Sequence, residues 1–449
     1  MRSCRQAAIG WAVFFAIGVV PVPVFAQSQS TDRAPVADQV DDPAIPQVVL
    51  QEDTDNGSDD KAGIAKQDDA ARQSDEDGAV AENVPEPPNE LTIASWGGAY
   101  QRAQEIALIN PYAKRTGALV KTIAHNKSQG TARAGGDKFE WDVADLPAHI
   151  ADMACKEGVL ETIDPSQLSP ASDGTDAVED FLPGGLAKCA VASVAWSSVV
   201  VVNRKAFKGA RPKSLEDVFD PKRFPGKRAF PRRPRYVLEM ALMADGVELE
   251  HLYAELARPE GVKRAFDKLE TIRSEIVWWQ KPQEPTQYLA DDKAAMAVAF
   301  NGRVFGAIAR KSREFAIMWD GQIYDLDVWV IAKTARNKQL AREFLAFATE
   351  PKRMAEQASW FPYGPMRRSA IDLVDRHAAL GLKLVDYLPT APANRERALQ
   401  IDNNFWSKNE AALTVRLETW IKGDPDEADN AKNGPADGTG SQSDKQTSN

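Results

Sequence analysis

From Leu91 onward, short apolar runs alternate with amphipathic stretches. Leu91-Thr92-Ile93-Ala94 reads as a buried strand, Gly97-Gly98 as a turn, and residues 99–114 as a helix. Strands are predicted over 118–123 and from Trp141. A helix over 148–157 ends at Gly158, where a left-handed cap suits glycine. Residues 191–202 form a long β-branched run, suited to a central strand able to cross between two lobes. Helices follow at 237–244, 249–257 and 260–274, strands at 276–279 and 295–300, and a helix at 302–310. A strand pair is predicted around 315–319 and 326–331. The alternation argues for an α/β fold with a mostly parallel sheet.

The pattern stops at both ends. Residues 27–90 hold 17 acidic and 4 basic residues and no aromatic residue. Such a segment buries too little apolar surface to offset its ordering entropy and reads as a disordered acidic linker, as does the tail 424–449. Upstream, Arg2 and Arg5 precede an apolar stretch, and Val24-Phe25-Ala26 offers a signal-peptidase site. Residues 1–26 therefore read as a cleavable export signal and the mature chain as periplasmic. The competing reading, an uncleaved anchor, meets Pro21 and Pro23, which interrupt a run already short for a span of about 20 residues.

The formal charge of -10 belongs to these ends, since residues 91–423 carry 47 basic and 42 acidic residues. That excess is small and scattered, unlike the clustered basic face of a nucleic-acid binder. With the signal removed, Cys155 and Cys189 remain. An oxidising compartment favours a disulfide between them, with two separately buried thiols as the alternative.

No phosphate loop, zinc-protease helix motif or nucleophile elbow occurs. His125, His149, His251 and His377 are dispersed, so no catalytic residue, metal or cofactor is expected. Ser95-Trp96-Gly97-Gly98 follows a strand and opens a helix, where backbone donors can meet an anion; a plain tight turn explains the glycines equally well. Aromatic residues beside acids at strand ends stand out. Trp141-Asp142 heads a strand with Asp145 three residues on, and the segment 319–329 combines Asp320, Asp325 and Asp327 with Trp319, Tyr324 and Trp329. Open α/β sheets place ligands outside the carboxyl ends of strands. Alternation turns Asp325, Asp327 and Trp329 to one face and Tyr324 and Leu326 to the other. An aromatic face holds an organic cation for about 0.5–2 kcal/mol, and a carboxylate adds a charge-assisted hydrogen bond. The plain alternative makes the tryptophans core and the acids solvated.

Several segments also match a known pattern in order along the chain: Ser95 to Tyr100, Trp141-Asp142-Val143, 224–228, 241–247, Ile276 to Trp279, Phe300-Asn301-Gly302-Arg303, 319–329 and 398–402. Through them the chain from Leu91 to about Trp420 resembles the bacterial spermidine/putrescine-type substrate-binding proteins of ABC importers. Cys155 and Cys189 also resemble a pair found in close relatives. The resemblance implies a two-lobed periplasmic-binding-protein (Venus-flytrap) fold with crossing hinge strands and lobes that close over a small-molecule ligand. It implies an ABC permease as partner, a monomer and no enzymatic activity. Lobe 1 is expected at about 91–195 and 327–423, and lobe 2 at about 196–326. Position by position, Trp96 would stack on the ligand, Asp327 would receive an amine and Gln400 would offer an amide. Phe300 stands where polyamine binders use tryptophan. Asp145, Asp325 and Trp329 complete the candidate ligand set.

One region departs from that family. Where polyamine binders offer acids from the second lobe, the chain reads Pro231-Arg232-Arg233-Pro234-Arg235-Tyr236. Arg232 and Arg235 are therefore candidate anion-binding residues, with a solvated basic loop as the alternative. A polyamine-like ligand is the first expectation. The second is a zwitterion or anion such as an opine or aminophosphonate, and the third a hydrolase using Asp325 and Asp327 as paired carboxylates.

Overall fold

The computed structural model describes residues 88–125, 139–310 and 314–423. The expected signal, nearly all of the acidic linker and the tail lie outside these residues. The linker's far boundary differs from expectation: the Asn89 amide donates to the Gly117 carbonyl and the first strand starts at Glu90.

The strands are β1 (Glu90–Ser95), β2 (Leu119–Ala124), β3 (Val143–Pro147), β4 (Leu186–Ala187), β5 (Ala190–Asn203), β6 (Arg228–Pro231), β7 (Ile276–Trp279), β8 (Met296–Phe300), β9 (Phe315–Ile331) and β10 (Leu399–Gln400). They form one sheet ordered β2-β1-β3-β9-β5-β8-β6-β7, with β10 beside β9 and β4 beside β5. β2-β1-β3 and β8-β6-β7 are parallel blocks. The two long strands joining them, β5 and β9, run antiparallel to each other and to their outer neighbours. The sheet is thus mixed, because two crossing strands replace a simple parallel succession. Every residue of β5 is buried, as its β-branched composition anticipates.

The helices that position the site are α1 (Gly98–Gln104), α2 (Asn110–Thr116), α3 (Ala148–Lys156), α4 (Val237–Ala244), α5 (Pro259–Glu270), α6 (Asn301–Ala309), α7 (Lys338–Ala348), α8 (Pro351–Trp360) and α9 (Asn403–Lys422). A π turn over Glu105–Ile109 links α1 to α2. Pro111, which has no amide proton to donate, follows this turn.

Two large cores change over at the crossing strands. One gathers Leu91 to Ala195 with Leu326 to Ile371. The other gathers Trp196 to Ile323 and then Leu399, Ile401, Phe405, Trp406, Leu413 and Leu417. The C-terminal helix α9 therefore packs on the second core and not, as expected, on the first. A smaller cluster joins Phe305 of α6 to Leu384 and Leu388. In the first core, Cys155 at the end of α3 is bonded to Cys189 ahead of β5, with Cα atoms 5.7 Å apart.

A second difference concerns residues 315–331. A strand pair is expected around 315–319 and 326–331, yet β9 is continuous. Residues 319–322 bulge opposite Val199, and Gly321 takes φ 69°. Glycine adopts that left-handed backbone without a steric penalty, so the strand kinks instead of reversing.

Candidate functional site

Register and alternation place the site. Ser198 pairs with both Phe300 and Ile323, Trp196 with Asp325, Val194 with Asp327, and Asp145 with Trp329. Paired residues share a face, so Phe300, Trp196, Asp325, Asp327 and Asp145 line one face of the sheet where the cores change over. The carboxyl ends of β1 and β8 approach this region from its two sides, the placement that open α/β sheets use for ligands.

Asp145 is fully buried and fully paired. Tyr100 and Gln104 of α1 each donate to Oδ2 at 2.6 Å, and Ser193 donates to Oδ1 at 2.8 Å. Ser193 is the extra residue of a β-bulge in β5, which re-aims its hydroxyl. Burial raises the Asp145 pKa, and the three donors oppose the rise. Above it, His125 contacts the Asp145 carbonyl oxygen through Nε2 at 2.9 Å, and burial lowers the His125 pKa from its ordinary value.

Asp327 is 5% exposed and less well supported. Its Oδ1 is buried without a hydrogen-bond partner among the described residues. Burial pushes its pKa well above the usual carboxylate range, the charges of Asp145 and Asp325 push it further, and a hydrogen bond with Trp196 opposes them. Asp325, also 5% exposed, is pushed up to about 6 by burial. The Asn403 amide at the start of α9 donates to it at 3.1 Å.

Aromatic rings frame these acids. Tyr100, Phe361 and Tyr363 pack with centroids 4.7–5.8 Å apart, and Phe300 meets Trp196 at 5.7 Å and Tyr236 at 5.9 Å. Tyr236 precedes α4 with φ 73°, a strained backbone for a non-glycine residue and one that recurs at ligand clamps. Gly302 opens α6 against Tyr363, where a Cβ would come within 2.9 Å of that ring. Burial raises the Tyr363 pKa, Asp327 adds to the rise and Arg303 opposes it, so an acid and a base lie near one buried phenol. At the end of β1, Trp96 meets His125 edge-on at 5.0 Å, and its indole nitrogen is buried with no acceptor among the described residues.

Other candidates lie elsewhere. Trp329 shares the face of Asp327 but is 1% exposed beneath Phe344 of α7, with ring centroids at 5.4 Å; it sits in the first core. Gln400 pairs with Tyr324 on the opposite face and accepts from its hydroxyl at 3.4 Å, away from the aspartates. The expected anion pair is also different. Arg232 is held by both oxygens of Glu418 at 2.8 and 2.6 Å, and Arg235 donates to Glu410 and Asn403, so acids of α9 meet both guanidiniums. Neither a polar groove at Arg232, Arg233, Trp279, Gln280 and Glu418 nor a small cavity beside Tyr324 and Arg395 includes the aspartates. Sequence reasoning missed Tyr100, Trp196, Tyr363 and Arg303 as site residues. Tyr100 and Arg303 stood inside matched segments, whereas Trp196 was hidden in an apolar strand and Tyr363 in a loop.

The model of a family described as bacterial extracellular solute-binding protein matches residues 107–381. The gamma-aminobutyric acid-binding protein of Pseudomonas aeruginosa is 35% identical over 332 residues, covering 74% of this chain and 90% of the relative. The crystal structure of an ABC transporter substrate-binding protein from Bradyrhizobium japonicum is 29% identical, with a TM-score of 0.61, over 74% of this chain and 99% of that one. The binding protein MotA from A. tumefaciens in complex with glucopine is 27% identical, with a TM-score of 0.58, over the same shares. A spermidine/putrescine substrate-binding protein from Streptococcus pneumoniae, at 18% identity and a TM-score of 0.58, shares the fold alone.

Proposed function

The chain belongs to the bacterial extracellular solute-binding protein family and is a substrate-binding protein of an ABC transporter; we propose that its solute is a small molecule whose ammonium group sits on Asp327 and whose acidic end faces Arg303. One observation carries this reading. A buried carboxylate oxygen of Asp327 has no donor among the described residues, beside two further carboxylates and within a frame of Tyr100, Trp196 and Tyr363. An uncompensated buried charge is expensive, and an ammonium N–H offsets it with a charge-assisted bond. Arg303 near Tyr363 favours an acid at the other end, which a polyamine lacks. The gamma-aminobutyric acid-binding protein of Pseudomonas aeruginosa and the glucopine complex of MotA support the same ligand class. Trp96 covers the bound solute from the first lobe, and its indole N–H, without an acceptor among the described residues, donates to it.

The mature monomer works in the periplasm after loss of residues 1–26 and passes its solute to the permease unchanged. No helix among the described residues is long and apolar enough to cross a membrane. Calorimetry of the mature chain with gamma-aminobutyric acid, an opine, an aminophosphonate, putrescine and spermidine tests the reading. An amino acid with a terminal amine should bind with one-to-one stoichiometry and no product. Asp327→Asn should weaken it by about 1.5–3 kcal/mol, roughly ten- to a hundredfold. Tighter binding of polyamines, unchanged affinity in the variant, or turnover would each defeat the proposal.

A further inference from the structure

Asp325 and Asp327 lie two residues apart on β9, roughly 7 Å along the strand. Asp145 on β3 is the diagonal neighbour of Asp327, because Asp145 pairs with Trp329 and Pro147 with Asp327. The three acids are 5%, 5% and 0% exposed. The oxygens of Asp145 already serve Tyr100, Gln104 and Ser193, so it is a fixed charge behind the seat and not a ligand contact.

The other groups facing Asp327 do little to neutralise it. Asp325 on its own strand repels it, as Asp145 does from β3. Tyr100 from α1 and Tyr363 after α8 are phenols whose pKa values are themselves raised by burial and by these acids. Arg303 of α6 acts on Tyr363. Arg235, ahead of α4, reaches Asp325 through Asn403 of α9, and Tyr236 lies beside that pair. Buried carboxylates at such separations do not all ionise, and the one with the fewest donors keeps the proton.

We propose that Asp145 is a positioning residue that holds a proton on Asp327 in the empty protein, so that capture of an ammonium group expels that proton. This rests on the seat assigned above. The Asp327 O–H bond breaks, its proton passes to the buffer, and the carboxylate left behind accepts an N–H of the ammonium group, which keeps its charge. The Asp327 pKa, raised by burial and by Asp145, agrees with this assignment.

Calorimetry with gamma-aminobutyric acid at pH 7, in buffers of different ionisation heat, counts the protons. We expect release of about one proton per ligand and an affinity that climbs up to about tenfold per pH unit until Asp327 is ionised in the empty chain. Asp145→Asn keeps an accepting oxygen but removes the charge, and should still bind while releasing fewer protons with a flatter pH slope. Binding without proton exchange in the unaltered chain overturns the inference while sparing the seat, and needs no variant to fold. Undiminished release from folded Asp145→Asn overturns the role of Asp145. Failure of gamma-aminobutyric acid to bind overturns the seat and the inference together.

Discussion

Asp327→Asn should stabilise the empty protein even as it weakens ligand binding. Burial and two neighbouring acids raise the Asp327 pKa in the folded chain. For a carboxyl raised on folding, ionisation is harder in the native state than in the unfolded one. Stability is therefore full at pH values below the unfolded pKa and declines as pH rises toward the folded value. The similarly buried Asp325 gives a floor: a rise from 3.8 to about 6 corresponds to about 3 kcal/mol, and two neighbouring acids raise Asp327 further. We therefore expect about 3–5 kcal/mol at pH 7.5, the upper figure being that of a carboxyl that stays protonated in the folded chain and ionises in the unfolded one. The asparagine amide does not ionise, and its N–H groups can point at the neighbouring carboxylates. Denaturant unfolding of both proteins without ligand, followed by tryptophan fluorescence at pH 4, 6 and 7.5, provides the assay. The curves should nearly coincide at pH 4 and separate with the variant ahead at pH 7.5. Parallel pH profiles, or a variant less stable at pH 7.5, would refute the electrostatic reasoning.

Other expectations concern single contacts. Arg303→Met should weaken amino acids at least tenfold in calorimetry while leaving simple alkylamines nearly unaffected, as loss of one charge-assisted bond implies. Trp96→Phe keeps a ring but removes the N–H that has no acceptor among the described residues; ligand affinity should fall about two- to tenfold with unchanged unfolding of the empty chain. Reducing the Cys155–Cys189 bond, which closes a 34-residue separation, should lower stability by about 3–4 kcal/mol in the chain-entropy picture, measured by unfolding with and without reductant. Gly321→Ala would set a methyl group 2.1 Å from the Leu215 side chain at φ 69°, and should cost about 1–3 kcal/mol in the same assay.

Local pattern carried much of the fold. The β-branched run of β5 and the apolar segment of α4 lie within a residue or so of expectation because each buries a continuous surface. The strand pair expected around 315–319 and 326–331 is one strand because a left-handed glycine serves a bulge as well as a break, and only the partner strand decides between them. Alternation correctly put Asp325, Asp327 and Trp329 on one face. It carries no information about coverage, and Phe344 covers Trp329 while Asp327 is left short of a donor. The charges of Arg232 and Arg235 were visible in the sequence, but Glu418 and Glu410, which meet them, stand far along the chain on a helix packed against the second core.

The row Trp196–Asp325 lies where β5 and β9 pass from one core into the other. Any swing of one core against the other turns the backbone at this row, so its side chains travel least, while Trp96 and Arg303 farther out travel more. Asp327, two rows away, would therefore hold nearly the same place before and after such a swing, so the proposed seat would engage an amine before the rim arrives. Affinity and stroke are in that sense written into the same few residues: a substitution that stiffens the axle will slow the handover of cargo even when the grip on it is unchanged.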